Sequence, residues 1–171
     1  MSARPQAKLR GRAKRIVTVH DADADVLRRR SRPVPAVDQE VRRLVADLLV
    51  SMRRAGGIGL AAPQIAVSRR VIVADIGTGA VAVVNPRVRR RRGRQVGVEG
   101  CLSIPGVYGD VERARYIEVD GRSQRGRRIV VKGTDLMARV ILHEIDHLNG
   151  VLFTDPARLV RRRRLRAARR R

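Results

Sequence analysis

One Phe (Phe153), two Tyr (Tyr108 and Tyr116) and no Trp among 171 residues oblige this chain to build its interior from aliphatic side chains. Apolar residues make up 43% of the sequence, enough for one core. A domain near this size buries roughly two-thirds of its unfolded surface and needs no disulfide staples. The lone cysteine, Cys101, excludes an internal disulfide and suits a reducing compartment. No apolar run approaches the ~18 residues a membrane span requires. The basic start, Met1 to Arg15, has no apolar stretch behind it and does not read as a secretory signal. The expectation is a cytoplasmic single-domain protein with no membrane partner.

Charge is concentrated at the two ends. Of the formal net +23, residues 158–171 carry nine Arg and residues 1–15 six Lys or Arg, neither stretch with an acid. The chain therefore divides into a disordered basic arm at 1–15, a single domain at 16–157 and an Arg-rich tail at 158–171. Only Lys8, Lys14 and Lys132 are lysines, so coding bias toward Arg and a polyanion contact are both open readings. Scarce aromatics offer unpaired bases no stacking platform.

Val41, Leu44, Val45, Leu48, Leu49 and Met52 recur at three- and four-residue steps, predicting an amphipathic helix capped by Asp38 and stopped at Gly56 or Gly57. Gly57 to Gln64 reads as a tight, non-helical segment. Val71–Ile76 and Val81–Asn85, split by Gly77-Thr78-Gly79, predict a hairpin. Arg89–Arg92 with Gly93 read as an exposed turn of like charges. Strands around Tyr116–Val119 and Arg128–Val131 flank an expected Asp120-Gly121 turn, and a last helix runs from Thr134 or Asp135 to Asn149, stopped by Gly150. A helix, then strands, then a helix points to an α+β fold.

His143-Glu144-Ile145-Asp146-His147 carries the chemistry. Positions four apart share a helix face, so both imidazoles can reach one metal ion. Glu144, beside the first of them, is angled toward water at that ion, where a carboxylate can take a proton. Nothing after His147 offers a further His, Cys or Glu, so a third ligand must come from upstream. Cys101, His20 and scattered acids are the candidates, and Cys101, preceded by a glycine, is favoured as a thiolate ligand. A zinc endopeptidase and a basic RNA-binding protein with a structural metal are the competing readings. The first lacks a downstream ligand and the second lacks a fourth one beyond His20.

Three strings together, Gly57 to Gln64, Glu99 to Ser103 and His143 to His147, resemble the peptide deformylase family in order and separation, over about Ile16 to Asp155. The resemblance implies β-sheets packed around a central helix that bears the HEIDH metal motif, with an N-terminal amphipathic helix. It implies a hydrolase that removes the N-formyl group from formyl-methionine of newly made polypeptides and releases formate. By matching positions, Cys101, His143 and His147 would hold one divalent ion, typically Fe(II), with Zn, Ni or Co able to replace it. Glu144 would be the general acid/base, and Gln64 and the backbone N–H of Leu102 would stabilise the developing oxyanion. Ile58, Gly59 and Gly100 would flank an extended substrate. From the residues themselves, Leu136, Val140 and Ile58 read as an apolar slot for a methionine side chain, with plain core as the alternative reading of Leu136 and Val140.

The chain departs from the family pattern at two places. Leu142 stands where Gln often precedes the first His, so a ligand-supporting hydrogen bond must come from elsewhere. Val111-Glu112-Arg113 replaces Val-Pro-Arg, leaving Arg113 to pair with Glu99 and stiffen the cysteine loop. The tail, with Leu159, Val160 and Leu165, reads as a basic helix suited to ribosomal RNA.

Overall fold

A computed structural model describes residues 11–155 in full and the backbone of 159–164. Among the described residues, two α-helices and eight strands, with two short 3-10 turns, make an α+β fold. Helix α1 (Gln39–Arg54) starts where the Asp38 side chain accepts from the Val41 N–H at 2.9 Å, and ends before Gly56, whose φ of 67° suits a glycine. Strands β1 (Gly59–Ala61), β2 (Val71–Ala74), β3 (Val81–Arg92), β6 (Tyr116–Arg122) and β7 (Arg128–Thr134) form an antiparallel sheet in the order β1-β2-β3-β6-β7. Strands β4 (Gln95–Cys101), β5 (Ile104–Arg113) and β8 (Leu159–Arg164) form a second one, in that order. Helix α2 (Asp135–Leu148) follows β7.

The larger sheet is covered unevenly. Alternation places Ile72, Ala74, Val83, Ile117 and Val119 on one face, against Ala138, Ile141, Ile145 and Leu148 of α2. On the other face Leu60, Val71, Val73 and Val84 meet Leu44, Val45, Leu48 and Met52 of α1. Phe153 lies in a third cluster with Val17, Leu27, Ile104, Val111 and Leu152, behind Cys101. The interior is therefore aliphatic almost throughout, as the shortage of rings requires. No helix among the described residues is long and apolar enough to cross a membrane.

Several local expectations change. Arg89–Arg92 are not a turn: β3 runs through them and Gly93 (φ 62°) makes the turn. Pairing with β6 fixes the backbone while the exposed guanidinium groups remain solvated. Asp120-Gly121 lie inside β6, and the β6–β7 turn is at 123–127, closed by Ser123 N–H donating to Arg127 C=O at 2.9 Å. Gly121 is there for space, since a Cβ would sit 2.4 Å from Val83 Cγ1. In Gly57–Gln64 the expected irregular segment contains β1 and the start of a 3-10 turn, Ala62–Ile65. The tail's expected basic helix is instead a strand over 159–164 on the edge of β5; its other residues, 158 and 165–171, lie outside the described residues. Of the expected arm, 1–10 lie outside them too. Residues 11–15 are tied to α1, with Arg12 N–H donating to Asp47 and Lys14 N–H to Ser51.

A buried ionic cluster joins β4, β5 and α2. Arg113 of β5 forks onto both carboxylate oxygens of Glu99 at 2.9 Å and also donates to Asp146 of α2. Arg139 of α2 donates to Glu99 at 2.8 Å and to the Val111, Gly97 and Gln95 carbonyls. Arg113 and Glu99 side chains are 3% and 4% exposed, so neither can fall back on water. Burial alone would raise the Glu99 carboxyl, but the Arg113 and His143 contacts outweigh it and bring its pKa to about 2. Replacing Arg113 by Met should cost about 3–5 kcal/mol in urea denaturation, because two buried carboxylates lose their fork. Arg113→Lys should recover only part of that. A loss below about 1 kcal/mol would mean the cluster is worth no more than a surface pair.

Candidate metal centre

Helix α2 brings His143 and His147 to one face, and the β4–β5 turn brings Cys101 to meet them. The ligand atoms of Cys101, His143 and His147 all lie within 4.8 Å of one another. Cys101 Sγ is 3.2 Å from His147 Nε2. His143 Nδ1 is 2.9 Å from Glu99 Oε2, which leaves Nε2 as its free ring nitrogen. Glu99 thus supplies the support for His143 that Leu142 cannot. His20 is exposed and outside this group.

The donor set fits a cation. A thiolate with two imidazoles suits Fe(II), Zn, Co or Ni. Burial and the neighbouring His143 and Arg113 hold His147 well below the usual histidine range, so it presents a neutral ring. Burial pulls His143 down as well, yet the Cys101 and Glu99 contacts override it and raise it well above that range. His147 is 1% exposed and its Nδ1 has no hydrogen-bond partner.

Glu144 is 4% exposed, and burial pushes its carboxyl up to about 7. Its Oε2 is buried without a partner. Gly59 makes room for the carboxylate, since a Cβ there would lie 2.4 Å from Glu144 Oε1. Gln64 is 2% exposed. Its Oε1 accepts from the Ala61 N–H at 2.8 Å, which turns Nε2 toward Ser103 Oγ at 3.2 Å and Cys101 Sγ at 3.5 Å. A strap from the N-terminal segment holds both loops: Val17 N–H donates to Gln64 C=O and Val19 N–H to Ser103 C=O.

Beside these groups opens a cleft of about 590 Å³. Ile58, Gly59, Gln64, Gly100, Cys101, Leu102, His143 and Glu144 all line it, while His147 lies behind. It runs between two free strand edges, β1 of the larger sheet and β4 of the smaller. Leu136, Val140 and Val98 add apolar wall, and Tyr108 packs so close to Gly100 that a Cβ there would be 2.8 Å from its ring. The Ile58 carbonyl is taken by the Asp75 N–H at 2.9 Å. The sequence reading missed Arg139 and Ser103. Arg139 interrupts an apolar run one turn before His143, which is the signal that a buried charge would need a carboxylate partner.

The family model for polypeptide deformylase matches residues 13–163. Among curated relatives, the peptide deformylase of Alkaliphilus metalliredigens is 46% identical over 133 residues, covering 78% of this chain and 90% of that protein. That of Pelotomaculum thermopropionicum is 45% identical over 137 residues, covering 80% and 88%. Among solved structures, the Thermotoga maritima peptide deformylase superposes with a TM-score of 0.80 at 37% identity, covering 86% of this chain and 98% of that one. The Synechococcus elongatus enzyme, in complex with actinonin, gives 0.78 at 38%, covering 90% and 85%. With the motifs, the fold and these likenesses in agreement, the chain belongs to the polypeptide deformylase family, enzymes that use a catalytic metal to remove the N-formyl group from newly made polypeptides.

Proposed function

We propose that Cys101, His143 and His147 hold one ferrous ion, with Zn, Ni or Co as substitutes, and that Glu144, Gln64 and Leu102 carry out deformylation around it. The observation that carries this reading is the convergence of the three donors beside a buried carboxylate with an unpartnered oxygen. When bound, the ion supplies Lewis acidity and brings the pKa of water near 7.

Glu144 takes the proton of the attacking water and returns it to the departing amine, which cannot leave as an anion. Its raised pKa, about 7, suits both halves of that transfer. Negative charge then grows on the former formyl oxygen. The Gln64 Nε2 donor, fixed by its own Oε1 contact to Ala61, meets that charge together with the Leu102 backbone N–H. Ile58, Gly59 and Gly100 guide an extended peptide between the β1 and β4 edges. Leu136, Val140 and Ile58 receive its methionine side chain. The Arg-rich residues 158–171 give the chain an additional affinity for ribosomal RNA, suited to a cytoplasmic enzyme that meets its substrate as it is made.

Formate release from a formyl-Met tripeptide tests the central roles. Glu144→Ala should keep its metal yet lose roughly 10²–10⁴ in kcat. A fully active variant would remove Glu144 from the chemistry. For Gln64→Ala the expected loss in kcat is about 10²–10³ at equal metal content, and a change confined to KM would reassign the side chain to binding. If the ion is ferrous, an anaerobic preparation should contain iron and lose activity in air as iron or Cys101 oxidises. Indefinite aerobic stability of the iron form would refute that assignment.

A further inference from the structure

Among the described residues, one face of the larger sheet is left uncovered over β6, β7 and the second half of β3. Inward residues Ile117, Val119, Ile129 and Val131 pack toward α2, so the alternate residues of β6 and β7 face outward. Register sets them in rows: Tyr116 beside Thr134, Glu118 beside Lys132, Asp120 beside Val130 and Arg122 beside Arg128. On the other side of β6, β3 adds Arg92, Arg90 and Arg87. Helix α1 covers only the opposite end of this face, over β1, β2 and the start of β3. Six cations against two carboxylates therefore share one surface, and Val130 stands in it 49% exposed.

These cations have few partners, Arg122 donating to the Gly126 carbonyl at 3.1 Å. Arg90 reaches Glu118 at 3.7 Å. Among the described residues, Arg87, Arg92, Arg122, Arg128 and Lys132 make no ion pair with a carboxylate. Elsewhere Arg28 is held by Asp155, Arg53 by Asp75 and Arg69 by Glu40, whereas the exposed Arg42, Arg43 and Arg54 of α1, like the cations of this face, make no ion pair with a carboxylate among the described residues. At one end of the patch Arg87, Arg122 and Arg128 ring a hollow of about 490 Å³. Arg90 and Arg92 of β3 stand about 7 Å apart and Arg128 and Lys132 of β7 about 13 Å apart, spacings comparable to one and two phosphate steps along a nucleic-acid strand. Tyr116 is the face's single ring, and its hydroxyl is committed to Glu118 at 2.7 Å. Unpaired bases would find no stacking platform on it, so the surface matches backbone phosphates of a double helix.

We infer that the outer face of β3, β6 and β7 is a docking surface for double-helical RNA, gripped through its phosphates by Arg87, Arg90, Arg92, Arg122, Arg128 and Lys132. It lies on the side of the sheet away from α2, so RNA and a formyl-peptide can be held at once. This extends the proposed RNA affinity of residues 158–171 to a second, structured surface and does not depend on it.

Fluorescence anisotropy of the full metal-loaded chain with an RNA duplex tests it. Arg90→Gln/Arg92→Gln/Arg128→Gln should weaken binding about ten-fold or more near 0.1 M salt and lower the slope of log K against log salt by about 3. The same three positions changed to Lys should keep both, and turnover of a short formyl-peptide should be unchanged in either variant. Exposed arginines of α1 supply the control, Arg42→Gln/Arg43→Gln/Arg54→Gln. An equal loss there would show diffuse charge rather than a site and overturn the inference. So would an unchanged slope in the face variant while deletion of 158–171 abolishes binding, which would leave the tail reading intact. Tighter binding to anionic lipid vesicles than to RNA, lost in the same face variant, or an equal loss in the Lys variant, would also overturn it.

Discussion

A single carboxylate organises this molecule. Glu99 accepts both arms of Arg113, one of Arg139 and the ring of His143, and so ties β4, β5 and α2 together at one point. Ligands that lie more than forty residues apart in sequence can converge only if the strand bearing Cys101 and the helix bearing His143 and His147 are fixed to each other. Apolar packing does that loosely, because aliphatic side chains tolerate small slides. Charge-assisted bonds with fixed fork geometry do not. The cost is burial of several ions, and the geometry recovers it because every oxygen of Glu99 is occupied.

The same cluster shapes the chemistry beside it. Glu99 and Asp146 are satisfied by Arg113, and no such partner is given to Glu144, two residues before Asp146. Two buried carboxylates close together on one helix therefore differ in character: Asp146 is committed to Arg113, while Glu144 is pushed toward neutrality and left an open oxygen. Structural acids and the proposed acid/base are thus separated by partner supply rather than by residue type.

Much of the site was legible because its constraints are local. Histidines four apart on an apolar stripe need only the helical period, and Cys101 needed only a glycine before it and the absence of a downstream ligand. Helix α1 was readable for the same reason, through Leu44, Leu48 and Met52. Non-local features were not. The C-terminal half of β3 carries consecutive arginines, and no alternation marks a strand when the outward face and the rim are both solvated. Gly121 resembles a turn residue in sequence, but its reason is the approach of Val83 on the neighbouring strand. Strand β5 contains Pro105, Gly106 and Gly109, and only pairing with β4 and β8 makes it one. The break that Arg139 makes in an apolar run is visible, but not its partner, because Glu99 is forty positions away.

The distribution of acids connects the interior to the surface. A chain with 39 Lys and Arg has only 16 Asp and Glu to set against them. Asp47, Glu99, Asp110, Glu144 and Asp146 are buried. Each acid placed inside to hold a ligand or move a proton is one fewer to neutralise the outside. Composition alone leaves an excess of cations outside, the buried acids add to it, and self-repulsion on the exposed sheet face opposes folding. An aliphatic core held by three clusters and a charge-assisted lock at Glu99 offset that repulsion. A polyanion on the outer face would relieve it further, so RNA binding and stability of this fold are expected to be linked, with bound duplex raising the melting temperature.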